Sequence, residues 1–297
     1  MDLRDYKLVW SEEFDENSFE ETKFTLQKHG PIQDRQGNKI CYFTEEERVI
    51  KVEDSKLVLN AVFDQEKDAF VVPAAVWTKD TMSFTYGYVE MKARVPYGQG
   101  SWAAFWALGR DAINQDKTQP YFAEIDIFEV EGACHIAEPN LHKWHYTREG
   151  NAPFYFMGPE DSPIRGNDQM QVECWERRPH EATRFGYHRP ENPEDFNIYG
   201  FLWTPETMEM YINGHLYGRY IISEDFGRPS GMEPFHSPIY LIINEQLSLK
   251  DNYGMCQARP ENAATPESVK KLVPYEIDYI RLYQKEGEGE LNVRTKD

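Results

Sequence analysis

The sequence predicts an all-β fold built from two packed antiparallel sheets, a sandwich or jelly roll. Three observations support this prediction. Apolar and polar residues alternate in several segments, other segments are continuous apolar runs of strand length, and helical periodicity is scarce. Many strands joined by regular turns, with almost no helix, are typical of that architecture.

The alternating segments predict strands at residues 56–63, 86–95 and 208–216. The third of these is followed by a second alternating stretch, and Asn213-Gly214 lies between the two. This dipeptide favours the positive φ angles of a tight two-residue turn. We therefore expect a β-hairpin over residues 208–220.

The continuous apolar runs predict strands that are buried on both faces, or on one face with aromatic residues on the other. These runs are residues 101–108, 122–130, 239–243 and 279–283. Residues 266–272 begin with proline and end near two lysines, which predicts a short helix.

The chain of 297 residues reads as one domain, because no repeat or low-complexity linker divides it. We assign residues 1–284 to a single domain and residues 285–297 to a polar C-terminal tail. Residues 147–193 alternate little and are rich in Pro, Gly, Arg and Glu. So long a loop is unusual unless it frames a site.

The charge balance argues against nucleic acid as a partner. The chain has 32 Lys and Arg against 51 Asp and Glu, a net charge of −19, which repels polyanions.

There is no apolar run long enough to span a membrane and no signal-peptide pattern. We expect a monomer that is cytoplasmic as given, or secreted if the chain is trimmed. The four cysteines lack metal-site spacing, which favours free buried thiols.

Three carboxylates interrupt an apolar strand and identify the candidate active site. Glu124, Asp126 and Glu129 fall within six residues. Period-two geometry places the first two on one face, and Glu129 joins them only if a β-bulge inserts an extra residue after Asp126. Two glutamates on one face can bring their carboxyl groups to about 5 to 5.5 Å, the separation found in retaining glycosidases. Alternatively, one or two of these acids lie on a solvated strand edge.

Aromatic and imidazole side chains flank this strand. Trp102 and Trp106 precede it, and His142 and Trp144 follow it. Sugar rings stack on indoles, and their hydroxyl groups require carboxylates, amides or imidazoles. Each tryptophan taken alone is more often a core residue than a ligand-binding one.

Five motifs in order along the chain resemble those of glycoside hydrolase family 16, which includes laminarinases, lichenases, agarases, porphyranases and carrageenases. They are residues 8–15 (LVWSEEFD), 84–94 (FTYGYVEMKAR), 124–129 (EIDIFE), 199–205 (YGFLWTP) and 277–283 (IDYIRLY). The resemblance covers nearly the whole chain. The E-x-D-x-x-E form resembles the bulged branch, which holds laminarinases and red-algal galactanases.

The resemblance implies a β-jelly roll whose concave face binds a polysaccharide or oligosaccharide. It also implies that Glu124 is the nucleophile and Glu129 the general acid/base, with Asp126 orienting Glu124 by sharing a proton. Glu129 then needs a raised pKa, for which the neighbouring carboxylates provide a cause.

The sequence departs from the family pattern where the sugar would bind. Ala103-Ala104 follows Trp102 where laminarinases commonly have Pro-Ala, and Asn244 and Gln246 lie on a late strand that is usually apolar and rich in glycine. These two polar residues share a strand face. They are plausible hydrogen-bond partners of sugar hydroxyl groups, or equally plausible outward-facing surface residues.

The resemblance requires no cofactor. It allows a structural calcium ion on the convex face, near Glu13 and Asp278, since hard oxygen ligands suit calcium.

The resulting expectation is a retaining, endo-acting glycoside hydrolase of β-1,3-glucan or mixed-linkage β-glucan. Two alternatives stay open: an endo-β-galactanase acting on agar-, keratan- or mucin-type chains, and a non-catalytic carbohydrate-binding jelly roll. Transglycosylation is a further outcome of the same chemistry, because sugar can replace water as the acceptor.

Overall fold

The computed structural model describes residues 3–16, 18–27, 30–34, 36–109, 121–133, 135–145, 172–173, 183–184, 189–223, 232–250 and 261–294. Within this set, residues 121, 143–145, 172–173 and 183–184 are described by backbone alone. No helix in these ranges is long and apolar enough to cross a membrane.

The described strands form two large sheets and one small one. The first sheet contains β1 (Tyr6–Glu12), β5 (Ile50–Val52), β6 (Leu57–Leu59), β11 (Gly87–Arg94), β16 (Thr183–Arg184), β17 (Asn197–Trp203), β18 (Thr207–Ile212), β19 (His215–Ile221) and β21 (Tyr275–Lys285). The second contains β2 (Thr25–Gln27), β9 (Ala75–Trp77), β10 (Met82–Thr85), β12 (Ser101–Gly109), β13 (Tyr121–Glu131), β14 (Glu138–His145), β15 (Val172–Glu173), β20 (Ile239–Leu247) and β22 (Glu290–Val293).

The small sheet contains β3 (Ile32–Gln33), β4 (Lys39–Thr44), β7 (Val62–Asp64) and β8 (Ala69–Pro73). The described helical segments are α1 (Pro266–Val269) and two 3-10 turns, Phe19–Glu21 and Glu233–His236. The all-β fold with antiparallel large sheets is therefore confirmed.

The main core lies between the two large sheets. Phe105 on β12 and Phe128 on β13 meet Tyr199 and Phe201 on β17 in one buried cluster. The Phe128 and Tyr199 ring centroids are 4.5 Å apart, which places the inner face of β13 directly on the first sheet. The opposite face of the second sheet, called here the outer face, carries a separate buried cluster that includes Trp77 and Trp106.

The predicted hairpin is confirmed. Strands β18 and β19 pair, and Asn213 and Gly214 between them have φ values of 49° and 80°. These left-handed conformations are those of the tight hairpin turn that the dipeptide favours.

Two of the other element predictions needed correction. Residues 56–63 form two strands rather than one: β6 joins the first sheet and β7 the small sheet, with a break at Asn60 and Ala61. Helix α1 is confirmed but short, Pro266–Val269, with a capping box between Thr265 and Ser268 at its start.

The predicted C-terminal tail at residues 285–297 was wrong in part, because β22 pairs with β10 in the second sheet. Gly287 and Gly289 have φ values of 78° and 81°, which let the chain reverse after β21. The Thr85 hydroxyl then accepts a hydrogen bond from the Glu290 backbone N–H at 2.9 Å. The polar sequence of these residues predicted a tail, but the turn and the pairing with β10 fix residues 290–293 in the second sheet.

Candidate active site

A β-bulge in β13 places the three predicted acids on the outer face. Across β12, Trp106 pairs with Asp126 while the preceding residue, Phe105, pairs with Phe128, so Ile127 is the extra residue. Ile127 and Phe128 are both fully buried in the core between the sheets. The bulge that the sequence analysis required is therefore present, and Glu129 projects with Glu124 and Asp126.

Glu129 has polar hydrogen-bond partners on this face. The Trp102 indole N–H donates to one of its carboxyl oxygens at 2.9 Å, and the Asn140 amide donates to the other at 3.0 Å. Burial of the carboxyl group and the nearby negative charge of Asp126 raise the pKa of Glu129 to about 8, although both hydrogen bonds and His142 act in the opposite direction. Burial is the larger cause, whereas the sequence pointed only to the neighbouring carboxylates.

His142 lies between the other two acids. Its Nε2 is 3.1 Å from an Asp126 oxygen and 3.9 Å from a Glu124 oxygen. Glu124 and Asp126 are both buried, at 9% and 4% exposure, so the imidazole is a principal polar neighbour of each. Predicted as a sugar-binding residue, His142 lies against the two carboxylates.

The two predicted tryptophans differ in exposure and contacts. Trp102 is partly exposed and holds Glu129, so part of its indole is available on the outer face. Trp106 is 8% exposed, and its N–H donates to the Asn244 side-chain oxygen at 2.7 Å. Trp106 therefore orients Asn244 from within the outer-face cluster.

The late strand β20 alternates as predicted. Asn244 pairs with Ala104, and Gln246 pairs with Trp102, so both lie on the outer face beside the acids. Glu245 between them is buried in the opposite direction and accepts a hydrogen bond from the Ser101 hydroxyl at 3.3 Å. Whether Asn244 and Gln246 contact sugar stays a prediction.

Trp144 on β14 pairs through its backbone with Phe122 on β13. This pair lies two positions along the strands from the pair of Glu124 and His142. Its side chain lies outside the described residues, as does most of the predicted loop at 147–193. The described part of that loop includes β15, which adds to the second sheet at the edge of β14.

Sequence reasoning missed several outer-face residues. Asn140 was not predicted, although alternation along β14 relates it to His142. Trp77 and Tyr240 extend the apolar cluster beyond Trp106, with their ring centroids 6.0 Å apart. At the C-terminal end of β13, two residues beyond Glu129, Glu131 accepts a hydrogen bond from the Ser248 hydroxyl at 2.7 Å. Finding these contacts requires the pairing of distant strands.

The residues predicted to hold calcium do not fit that role. Glu13 accepts two hydrogen bonds from the Arg281 guanidinium, at 3.0 and 2.8 Å. Asp278 forms an ion pair with Lys92 at 2.6 Å. Each carboxylate is thus already neutralised by a cation of the protein, and calcium needs six to eight oxygen ligands.

One of the four cysteines, Cys41, lies within the described residues. It is a buried free thiol, and burial raises its pKa to about 12. The prediction for Cys134, Cys174 and Cys256 falls outside the described residues.

No protein-family model matches the chain. Three curated proteins align with 94% of it: a glucan endo-1,3-β-glucosidase A1 from Niallia circulans at 22% identity, a keratan-sulfate endo-1,4-β-galactosidase from Sphingobacterium multivorum at 28%, and a β-glucanase from Rhodothermus marinus at 26%. The aligned parts are 38%, 56% and 85% of those proteins, so the chain spans about half the length or less of the first two.

Among solved structures, a non-specific endo-β-1,3(4)-glucanase from family GH16 superposes with a TM-score of 0.64 at 21% identity, over 95% of this chain and 96% of that one. The chain has the fold of glycoside hydrolase family 16. This jelly roll carries its acidic strand in the second sheet, and the outer face of that sheet is the candidate active site.

Proposed function

We propose that the chain is a retaining, endo-acting glycoside hydrolase of β-linked glucans. The observation that carries the proposal is the bulge at Ile127, which directs Glu129 to the same face as Glu124. Without it, alternation would turn Glu129 into the core. A pair of carboxyl groups on one face is what double displacement at an anomeric carbon requires.

In the first step, a Glu124 oxygen attacks the anomeric carbon while Glu129 gives its proton to the departing glycosidic oxygen. The carbon–oxygen bond to the leaving sugar breaks and a glycosyl ester on Glu124 forms. The pKa of about 8 keeps Glu129 protonated near neutral pH, so it can act as the acid.

In the second step, Glu129 takes a proton from water, and the water oxygen attacks the anomeric carbon. The ester bond breaks, which releases the sugar with its original configuration and restores both carboxyl groups. Asp126 and His142 lie beside Glu124, and their side chains are 3.1 Å apart. They are positioning residues in this scheme.

β-1,3-Glucan and mixed-linkage β-glucan are the preferred substrates. Two of the three relatives above are named for glucan hydrolysis, and the net charge of −19 favours an uncharged polymer. The third relative is named for a galactan, and it is the most similar of the three at 28% identity. A β-galactan is therefore the second candidate.

The chemistry is tested by replacing the acids one at a time with their amides. Glu124→Gln and Glu129→Gln should each lose nearly all turnover and keep the circular dichroism spectrum of the unaltered protein. Glu131→Gln is the matched control, since it makes the same change of a carboxyl group to an amide on the same strand and should keep most of the turnover. Full turnover in either of the first two variants would contradict the assignment.

The substrate is tested with a panel of β-1,3-glucan, mixed-linkage β-glucan and neutral β-galactans, read by chromatography of the fragments. Internal fragments from the glucans support the first candidate, and fragments from galactan alone support the second. Saturable binding to a glycan with no new reducing ends would instead identify a carbohydrate-binding protein. Products longer than the substrate would identify transglycosylation.

A further inference from the structure

We propose that Glu124, Asp126 and His142 form a binding site for a divalent transition-metal ion, and that a metal bound there blocks glycan hydrolysis. The binding half stands on geometry alone. The inhibition half rests on the function proposed above, because it requires Glu124 to be the nucleophile.

The three side chains already converge at distances close to those of a metal centre. One ligand atom from each lies within 4.8 Å of the others. The His142 Nε2 is 3.1 Å from Asp126 and 3.9 Å from Glu124. Ligands of a tetrahedral zinc ion lie about 3.4 Å apart, given metal–ligand distances of about 2.1 Å. The pair of ligand atoms that is farthest apart must approach by up to about 1.4 Å, which rotation of the side chains can supply.

The donor set selects the kind of metal. One imidazole with two carboxylates suits zinc, copper, nickel or cobalt, which accept nitrogen and oxygen together. Calcium and magnesium prefer oxygen ligands in larger number. The site therefore favours transition metals over the alkaline earths.

The backbone holds the ligands in place before a metal arrives. Glu124 and His142 are directly paired across β13 and β14, and Asp126 is two residues along the same face. Asp126 and Glu124 are buried, so they are not an exposed acidic patch of the kind that is common without function. The net charge of −19 raises the local concentration of cations.

A metal at this position would occupy the Glu124 oxygen that attacks the anomeric carbon. A coordinated carboxylate has its lone pair directed to the metal, so it is a weaker nucleophile. The ion would also stand on the outer face where the sugar must lie. Metal and substrate should therefore compete.

The binding test uses the full chain without any polyhistidine tag. Zinc chloride is titrated by calorimetry, and cobalt chloride by visible absorption, which reports the coordination geometry. The altered protein is His142→Gln, and the control is His215→Gln, an exposed histidine in the hairpin of the first sheet. Magnesium chloride is titrated as the alkaline-earth comparison.

The unaltered protein and the control should bind one zinc ion, and His142→Gln should bind it at least tenfold more weakly. Magnesium should bind more weakly than zinc by a similar factor or more. Failure to bind zinc, or equal binding by His142→Gln, would overturn the site. Folding of the variant is checked by its thermal unfolding midpoint, and Asp126→Asn is the second variant should His142→Gln not fold.

Inhibition is measured on β-glucan at increasing zinc concentrations. It should be competitive, should follow the calorimetric affinity and should be reversed by a chelator. Full turnover at saturating zinc would overturn the inhibition half. If the protein hydrolyses no glycan at all, the function proposed above has failed, and calorimetry still decides the metal site.

Discussion

Glu245 should make the protein less stable as the pH rises. This carboxyl group is 2% exposed, and burial raises its pKa to about 8 from a value of 4.5 for the free side chain. Its hydrogen-bond donor is Ser101, and Tyr275 on the facing sheet is close enough to feel its charge. The folded protein therefore keeps the proton over a range of pH in which the unfolded chain has lost it.

The sign follows from proton binding in the two states. Below pH 4.5 both states are protonated and Glu245 contributes no pH dependence. Between that value and about 8, the folded state binds the extra proton, so stability falls by up to about 1.4 kcal/mol per pH unit. Integrated from about pH 5 to about pH 8, the loss is roughly 3 to 4 kcal/mol, and above the folded pKa it is constant.

The perturbation is Glu245→Gln, which has nearly the same shape and does not titrate. The free energy of unfolding is measured from urea curves, followed by tryptophan fluorescence, at several pH values across this range. Between about pH 5 and about pH 8, the variant should lose less stability than the unaltered protein, by roughly 3 to 4 kcal/mol. A constant offset from the amide cancels in this difference, as does the pH dependence of Glu129.

Glu131→Gln is the control, because its charge is exposed on the outer face. It should show the pH dependence of the unaltered protein. An equal loss of stability in Glu245→Gln and in the unaltered protein over the same range would show that Glu245 does not hold its proton in the folded state.

Three further predictions concern the active site and the metal. Trp102→Phe removes a hydrogen bond that favours the Glu129 carboxylate, so the alkaline limb of kcat/KM should move up by about one pH unit; an unchanged or lowered limb would contradict this. Deleting Ile127 should regularise the pairing of β13 with β12 and keep the three acids on one face, so measurable turnover should remain in the folded variant; its complete loss would count against the bulge argument. In protein freed of transition metals, calcium chloride should leave the thermal unfolding midpoint unchanged, since Glu13 and Asp278 are paired with protein cations; a rise of several degrees would show that calcium is held.

Local pattern was sufficient to predict the strands near the site. Residues 122–130 and 101–108 are continuous apolar runs of strand length, which predict buried strands, and the structure has β13 and β12 there. The bulge could be inferred only from chemistry: three acids in six residues make sense on one face if one residue is extra.

What the sequence could not provide was the pairing of distant strands. Asn140 reaches Glu129, and Ser248 reaches Glu131, through contacts between residues 11 and 117 positions apart. The same limit explains the tail: nothing local shows that residues 290–293 pair with β10, more than two hundred residues earlier.

The separate roles of Glu124 and Glu129 are tested most directly by trapping the covalent intermediate. A fluorinated substrate sugar that forms a slowly hydrolysed glycosyl-enzyme is incubated with the protein, and the labelled peptide is sequenced by mass spectrometry. We expect one label, on Glu124, with labelling greatly slowed in Glu129→Gln for substrates that need an acid. A label on Glu129 or Asp126, or turnover that releases a sugar of inverted configuration, would contradict it.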